Sequence, residues 1–275
     1  MGDVAMTVPV IRALVQQNQH VKVTVVSRPF FQPFFEGIPN VDFFAVDLNS
    51  RHKGTMGLFR LYADIKKLNI NAVADLHNVL RSIVIRNLFV LSGKKVAYSD
   101  KGRAEKKALT RAQKKIFQPA KSMVERHVET FKTLGFDIDL THPNFPEKAQ
   151  LTEAVFKVSG EKGNTHWIGI APFAQYESKV YPLDLMQEVI VELAKNTSHK
   201  IFLFGGGKKE TEQLQALSTN LDNVTVVAGK LKLQQELQLI SNLDVMLSMD
   251  SGNSHIAAML GVKVVTLWGA THPYA

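Results

Sequence analysis

The chain has 275 residues, of which 33 are basic and 25 acidic, giving a net charge of +8, and it has no cysteine. The lack of cysteine excludes disulfides, thiolate metal sites and a cysteine nucleophile. The length favours two domains, and 45% hydrophobic with 21% charged residues is typical of a soluble globular protein. No apolar run approaches the roughly 18 residues that span a bilayer, and the N-terminus lacks the features of a signal peptide. We therefore expect a cytoplasmic protein.

Short β-branched runs alternate with amphipathic helical stretches along the first half of the chain. This alternation predicts an α/β fold, in which helical crossovers join parallel strands into a doubly wound sheet. The predicted strands are residues 21–26, 41–46, 72–76 and 95–98. The predicted helices are residues 7–19, 57–67, 79–91 and 122–134, and Gly135 is a plausible C-terminal cap for the last of them.

The second half repeats the scheme with more strongly apolar strands. These strands are residues 167–171, 201–204, 224–227, 245–248 and 262–267. Near-continuous apolar runs are typical of parallel strands that are buried on both faces. Helices are predicted at residues 183–195, 208–217, 234–241 and 253–260.

The polar segment of residues 143–165 divides the two halves. It predicts an N-terminal Rossmann-like domain at 1–145, a linker at 146–165 and a C-terminal Rossmann-like domain at 166–275. Asp3 lies in an apparent strand-to-helix loop with no strand before it, and the chain stops directly after a strand and a turn. We therefore expect that the chain is truncated at both termini, without the first strand and the C-terminal helices.

Four polar clusters follow predicted strands, where ligands collect in open parallel sheets. In the first, Asp3 places a carboxylate beside a helix N-terminus, and the alternative is that it only favours the helix start. In the second, Lys179 could neutralise a phosphate as a point charge, and the alternative is an exposed loop lysine.

The third and fourth clusters contain glycine turns that open helices. Gly205–Gly207 form neither a G-x-G-x-x-G nor a Walker A loop, and Glu210 could bind ribose hydroxyls or only favour its helix N-terminus. In the fourth, the N–H groups of residues 251–253 would face a diphosphate, and His255 could add a hydrogen bond.

A separate basic stretch holds ten lysines and arginines between residues 94 and 121. Such an excess of positive charge suggests an anionic partner. The alternative is a solvated helix and loop.

Taken together, these segments resemble the bacterial heptosyltransferase family. Residues 250–261 are similar to its D-[ST]-G-x-x-H-[IL]-A-A-x-x-G signature, and residues 269–273 are similar to the G-x-T-x-P that follows. Residues 2–14 resemble the G-D-V-x-x-T-x-P start, 75–82 the D-L-[HQ]-x-x-x-R-[ST] segment, and 179–182 the K-x-W-P segment with Tyr181 in place of tryptophan. The matches span nearly the whole chain in the family's order.

The resemblance implies a GT-B architecture of two Rossmann-like domains facing a cleft, with the nucleotide on the C-terminal domain and the acceptor on the N-terminal one. It implies an inverting, metal-independent glycosyltransferase with no cofactor, which moves heptose from ADP-heptose onto a lipopolysaccharide-core or related glycolipid. Asp3 would be the general base, and Lys179 would stabilise the leaving diphosphate. The implied donor-binding residues are Gln175, Glu210, Asp250, Ser251, Gly252, Asn253 and His255, and the acceptor-side residues are His77, Arg81, Lys101 and Arg103.

The implied partners are a nucleotide sugar, an anionic glycolipid and the cytoplasmic face of the inner membrane, and a monomer is expected. Phe173, Ala174 and Gln175 stand where hydroxyl residues often precede the family's lysine, which leaves the donor nucleotide open. The alternatives are another sugar-nucleotide enzyme of this architecture, such as an epimerase, and a non-catalytic sugar-binding protein. A nucleic-acid binder is suggested only by charge, because no RRM, KH or helix-turn-helix pattern is present, and we expect no nucleic-acid partner.

Overall fold

A computed structural model describes residues 1–274 as two compact units. The N-terminal unit comprises Met6–Asn144 together with Tyr274, and the C-terminal unit comprises Phe145–Pro273 together with Met1–Ala5. These bounds differ from the sequence-based domains of 1–145 and 166–275. Met1–Ala5 and the predicted linker at 146–165 both belong to the C-terminal unit.

The chain begins with one helical turn, α1 (Gly2–Ala5), which packs on the C-terminal unit. The N-terminal unit then follows the predicted alternation of helices and strands. Its helices and strands are α2 (Val8–Gln17), β1 (Val23–Ser27), β2 (Val41–Ala45), α3 (Gly54–Lys66), β3 (Ala72–Asp75), α4 (Leu80–Leu91), β4 (Lys95–Tyr98), α5 (Arg103–Thr110) and α6 (Met123–Thr133). A 3-10 helix at Pro29–Phe34 lies between β1 and β2.

Strand pairing in the N-terminal unit forms two separate parallel pairs, β1 with β2 and β3 with β4, instead of one continuous sheet. Local signals set the ends of α6. The Ser122 hydroxyl accepts the Glu125 N–H at 3.2 Å, and the Glu125 carboxylate accepts the Ser122 N–H at 2.7 Å, which satisfies two amides at the helix start. At the other end, Gly135 has a φ of +100°, which few other residues adopt, so the predicted glycine cap is confirmed.

The C-terminal unit is built on a five-stranded parallel sheet. Its remaining helices and strands are α7 (Glu153–Ser159), β5 (His166–Ala171), α8 (Leu183–Ala194), β6 (His199–Leu203), α9 (Gly207–Leu217), β7 (Val224–Val226), α10 (Leu233–Ser241), β8 (Val245–Met249), α11 (Gly252–Met259) and β9 (Lys263–Leu267). The strand order is β7-β6-β5-β8-β9, with Ile168 of β5 opposite both Ile201 of β6 and Val245 of β8. This is the Rossmann order, in which the chain winds outward from the central strand and then returns to its other side.

The core of this unit forms because apolar side chains of the central strands pack against the amphipathic helix α8. Ile170, Ile201 and Leu203 are fully buried, as are Met186 and Ile190 of α8. Each buried side chain of this size stabilises the fold by roughly 1.5–3 kcal/mol. The packed sheet therefore gives the loops at its edges a rigid support.

The predicted linker contains a helix that was not predicted, α7, which is only seven residues long. Val155 is fully buried, and α7 packs against α10. The Ala149 N–H donates to Ser241 Oγ at 3.1 Å, and Asn242 Nδ2 donates to the Ala149 carbonyl at 2.8 Å. These contacts make the segment part of the C-terminal unit. Separately, no helix within residues 1–274 is long and apolar enough to cross a membrane.

Candidate active site

The sheet order of the C-terminal unit creates a crevice at the carboxyl ends of β5 and β8. The chain leaves β5 in one direction along the sheet and comes back to β8 on the opposite side, so the loops after these two strands separate from each other. Ligands bind at such switch points in open α/β sheets. The second and fourth predicted clusters follow β5 and β8 respectively, so the fold brings them together.

An ion pair joins the two loops. Lys179, in a 3-10 turn (Glu177–Lys179) after β5, places Nζ 2.6 Å from Oδ2 of Asp250, directly after β8. Thr271 Oγ1 donates to the same Oδ2 at 2.9 Å. Burial raises the pKa of the Asp250 carboxyl, but the hydrogen bonds from Lys179 and Thr271 outweigh it and hold the pKa below its usual value. Asp250 is therefore a carboxylate at neutral pH.

Helix α11 begins immediately after this ion pair. Ser251 has an extended backbone and stands at the N-cap position, and its hydroxyl lies 3.2 Å from that of Ser248. The first-turn N–H groups of α11 include those of Gly252 and Asn253, and they carry the partial positive charge of a helix N-terminus. An ammonium group and a helix N-terminus therefore stand at the same crevice.

His255, on the first turn of α11, is half-buried beside α1. A Cβ on Gly2 would lie 2.7 Å from Cδ2 of His255, so this close packing requires glycine at position 2. Burial lowers the pKa of His255, against the opposing influence of the Asp250 and Asp3 carboxylates. Because α1 carries Asp3 and packs against α11, the first predicted cluster also lies near this site.

Two predicted donor-binding residues lie in other surroundings. Gln175 is exposed in the loop after β5. Glu210, in the first turn of α9, accepts the Gly206 N–H through Oε2 at 2.7 Å, which is the helix-terminal role that was the alternative for this residue. Whether either residue also contacts a nucleotide stays a prediction.

The predicted acceptor-side residues lie after β3 and β4 of the N-terminal unit. His77 and Arg81 are exposed at the start of α4, and Lys101 and Arg103 are at the start of α5. The His77 N–H donates to Asp75 Oδ1 at 3.1 Å, so its backbone is held by the strand end. Their role in acceptor binding stays a prediction.

Comparison with known proteins identifies the family. The sequence model of glycosyltransferase family 9 (heptosyltransferase) matches residues 58–275, which is most of the chain. The chain belongs to this family. It is thus a heptosyltransferase-like glycosyltransferase, and the resemblance found in the sequence is confirmed. Membership argues against the epimerase and the non-catalytic sugar-binding protein.

Individual relatives agree with the family 9 assignment. Lipopolysaccharide heptosyltransferase 1 from Campylobacter coli is 25% identical over 100% of this chain and 82% of its own length. A family 9 glycosyl transferase from Veillonella parvula has a TM-score of 0.76 at 21% identity, covering 100% of this chain and 80% of that one. The Escherichia coli heptosyltransferase WaaC with ADP-2-deoxy-2-fluoro heptose has a TM-score of 0.70 at 21% identity, covering 100% and 88%. These structural likenesses confirm the predicted GT-B fold.

Three polar residues near the predicted sites of this family 9 chain, Arg86, Arg126 and Thr271, were not predicted to have a functional role. Arg86 Nη1 donates to Asp75 Oδ2 at 3.0 Å and to Asn78 Oδ1 at 2.9 Å, and its guanidinium lies 4.0 Å from the Tyr98 ring centroid. Arg126 is buried. It pairs with Asp100 at 3.2 Å and Glu105 at 2.7 Å.

Thr271 is the third of these residues. It falls within the G-x-T-x-P segment, which was the only sequence signal for it. Both arginines lack such a signal because their partners lie on other elements. Within residues 1–274, no group of three or more His, Cys, Asp or Glu side chains is placed to hold a metal ion.

Proposed function

We propose that this family 9 protein transfers heptose from ADP-heptose onto a lipopolysaccharide-core or related glycolipid acceptor. The observation that carries the proposal is the Lys179–Asp250 ion pair, at 2.6 Å, beside the N-terminus of α11 at the switch point of the C-terminal unit. The relatives supply the substrate names: the Escherichia coli protein was solved with an ADP-heptose analogue, and the Campylobacter coli protein is a lipopolysaccharide heptosyltransferase.

Glycosyl transfer breaks the bond between the anomeric carbon and the diphosphate oxygen, and the bonding electron pair stays on the diphosphate. Lys179 supplies a positive charge for the developing anion, and the first-turn amides of α11 supply hydrogen-bond donors. Asp250 holds the lysine in place, and Ser251, Gly252, Asn253 and His255 surround the diphosphate. Gln175 and Glu210 would contact the nucleoside end of the donor.

Attack by the acceptor hydroxyl on the opposite face of the anomeric carbon forms the new bond and inverts the configuration. The hydroxyl proton must leave as this bond forms, and Asp3 accepts it as the general base. The packing of α1, which carries Asp3, against α11, whose first turn carries His255, supports this role. In this scheme Lys179 and the α11 N-terminus neutralise the diphosphate without a metal ion.

The excess of positive charge in one segment of the N-terminal unit supports binding of an anionic acceptor. Residues 101–121 contain eight basic side chains and one acidic one, so this segment alone supplies +7 of the net charge of +8. Together with His77 and Arg81, Lys101 and Arg103 would bind a glycolipid rich in phosphate and carboxylate. The remaining positive charges would contact the anionic cytoplasmic face of the inner membrane. The active protein would be a monomer, with no nucleic-acid partner.

The donor assignment is tested by titrating the protein with ADP, UDP and GDP and following thermal stability. ADP should raise the melting temperature more than UDP or GDP, and His255→Ala should lose this stabilisation. Asp3→Asn should keep the ADP response and lose transfer from ADP-heptose by a factor of roughly 10²–10⁴, as expected for a general base. Preference for UDP or GDP would contradict the ADP-heptose donor, and equal loss of binding and transfer in Asp3→Asn would contradict the general base.

A further inference from the structure

The turn after β9 lies directly against the loop that carries Lys179. The Ala270 N–H donates to the Ser178 carbonyl at 2.9 Å, which bonds the two loops backbone to backbone. A Cβ on Gly269 would lie 2.5 Å from the Ser178 carbonyl oxygen and 2.9 Å from Cα of Lys179. Because any side chain at position 269 would clash with this backbone, the close approach requires glycine.

A second contact from the same turn reaches the partner of Lys179. Thr271 Oγ1 and Lys179 Nζ both donate to Oδ2 of Asp250, at 2.9 Å and 2.6 Å. The three residues follow β9, β5 and β8, which are neighbours in the order β5-β8-β9. One carboxylate oxygen therefore connects three adjacent strand ends.

This arrangement has two consequences for the lysine. The carboxylate of Asp250 fixes the position of the ammonium group, and the Thr271 hydroxyl fixes the carboxylate. The carboxylate also competes with an incoming phosphate for Lys179, and a hydroxyl donated to Oδ2 takes up part of its negative charge and so weakens that competition.

We propose that Thr271 is a positioning residue for the β-phosphate of a nucleoside diphosphate, and that it acts through Asp250 on Lys179. Gly269 supports it by allowing the β9 turn to pack against Lys179. This inference rests on the proposed function, since it needs a diphosphate at Lys179. It adds a residue that acts without contacting the donor.

The test is a double-mutant cycle with ADP affinity as the readout, measured by calorimetry on the full chain. Thr271→Val should lower ADP affinity about 5- to 10-fold, in line with the loss of one charge-assisted hydrogen bond. In the Lys179→Met background the same substitution should have no further effect, because its target is already gone. Thr271→Ser keeps the hydroxyl and should restore affinity to within twofold of the wild type.

AMP provides a second readout that a loss of folding would not reproduce. Since AMP lacks the β-phosphate, Thr271→Val should change its affinity less than about twofold, so the ratio of ADP to AMP affinity should fall. Thr266→Val is the matched control. Thr266 is half-buried on β9, and this substitution should leave both affinities unchanged.

The outcomes separate the two proposals. Equal effects of Thr271→Val with and without Lys179, or equal weakening of ADP and AMP, would overturn the role of Thr271 while leaving the donor site intact. A wild-type protein that binds no ADP would overturn the proposed function and this inference together.

Discussion

Each unit has an ion pair at the carboxyl end of a parallel strand. Asp75, the last residue of β3, pairs with Arg86, and Asp250, directly after β8, pairs with Lys179. The Asp75–Arg86 side chains are 4% and 13% exposed, whereas those of Asp250 and Lys179 are 16% and 23% exposed. The first pair is more deeply buried and the second is more accessible to a ligand.

The buried pair, Asp75 with Arg86, also makes more contacts with other residues than the accessible pair, Asp250 with Lys179. Asp75 also accepts the N–H groups of His77 and Asn78, at 3.1 and 2.7 Å, and Arg86 is further held by Asn78 and the Tyr98 ring. By contrast, Asp250 is the single side-chain partner of Lys179 among residues 1–274. The two ion pairs therefore have different surroundings, although both lie at the carboxyl end of a parallel strand. A fully bonded pair stabilises the fold, and a basic group with unused donors can bind an anion.

The largest effect is expected where the lysine is removed. Lys179→Met should lower the transfer rate by a factor of about 10²–10³, because in the proposed mechanism it deletes the positive charge that stabilises the leaving diphosphate. The free energy of unfolding should change by less than about 1 kcal/mol, since the pair is partly exposed. Steady-state transfer assays and urea unfolding measure the two quantities.

Lys263→Met is the matched control, because Lys263 is exposed at the amino end of β9, away from the crevice. It should leave both quantities unchanged. An unchanged transfer rate in Lys179→Met would exclude this lysine from the reaction.

Removal of Arg86 should lower the stability of the fold and leave ligand binding unchanged. Arg86→Met leaves the Asp75 carboxylate buried without its counter-charge, so the free energy of unfolding should fall by about 3 kcal/mol. The ADP affinity of the folded protein should stay at the wild-type value. Urea unfolding and calorimetry test both statements.

Arg81→Met, on the same helix but exposed, should change stability by less than about 0.5 kcal/mol. A similar loss in both variants would mean that the Asp75–Arg86 pair contributes nothing particular to the fold.

A third carboxyl group, Glu236 on α10, tests what burial does without a counter-charge. Within residues 1–274 it has no ion-pair partner, and burial raises its pKa to about 7. Between pH 4.5 and 7 the unfolded chain releases this proton while the folded protein keeps it, so the folded state loses stability as pH rises. Glu236→Gln should therefore be more stable than the wild type by about 1–3 kcal/mol at pH 8.

The advantage of Glu236→Gln should shrink towards pH 5, which unfolding curves at the two pH values would reveal. Glu188→Gln, at an exposed position on α8, is the control and should show no such pH dependence. An advantage of Glu236→Gln that is the same at both pH values would contradict the buried, protonated carboxyl.

Much of the fold could be predicted because it is encoded locally. Apolar runs and helical periodicity located every strand in both units to within a few residues, as well as most of the helices. The exceptions are informative. The short helix α7 was predicted to be a linker, because packing on α10 stabilises it and no local pattern shows that packing. Helix α1 was assigned to the N-terminal domain from its place in the sequence, but it packs on α11 of the C-terminal unit.

The candidate site was predictable to the extent that its residues belong to contiguous motifs. The segments around Asp3, Lys179 and residues 250–255 were all recognisable, and their sequence order already indicated the family. The helix-terminal role of Glu210 was one of the two alternatives predicted for it. The hydrogen bond from Thr271 to Asp250 and the contacts of Arg86 were not recognisable. Each depends on a hydrogen bond or an ion pair whose geometry no motif specifies.

The sequence by itself determined the parallel α/β class, the family and the segments that carry polar chemistry, because periodicity and motifs are properties of neighbouring residues. Only the tertiary structure decided which of those segments meet. Placing β8 beside β5 and β9 beside β8 puts Asp250 within hydrogen-bonding distance of Lys179, 71 positions away, and of Thr271, 21 positions away. Strand order depends on packing the whole sheet between its helices, so pairings across it are set by contacts that no local pattern contains.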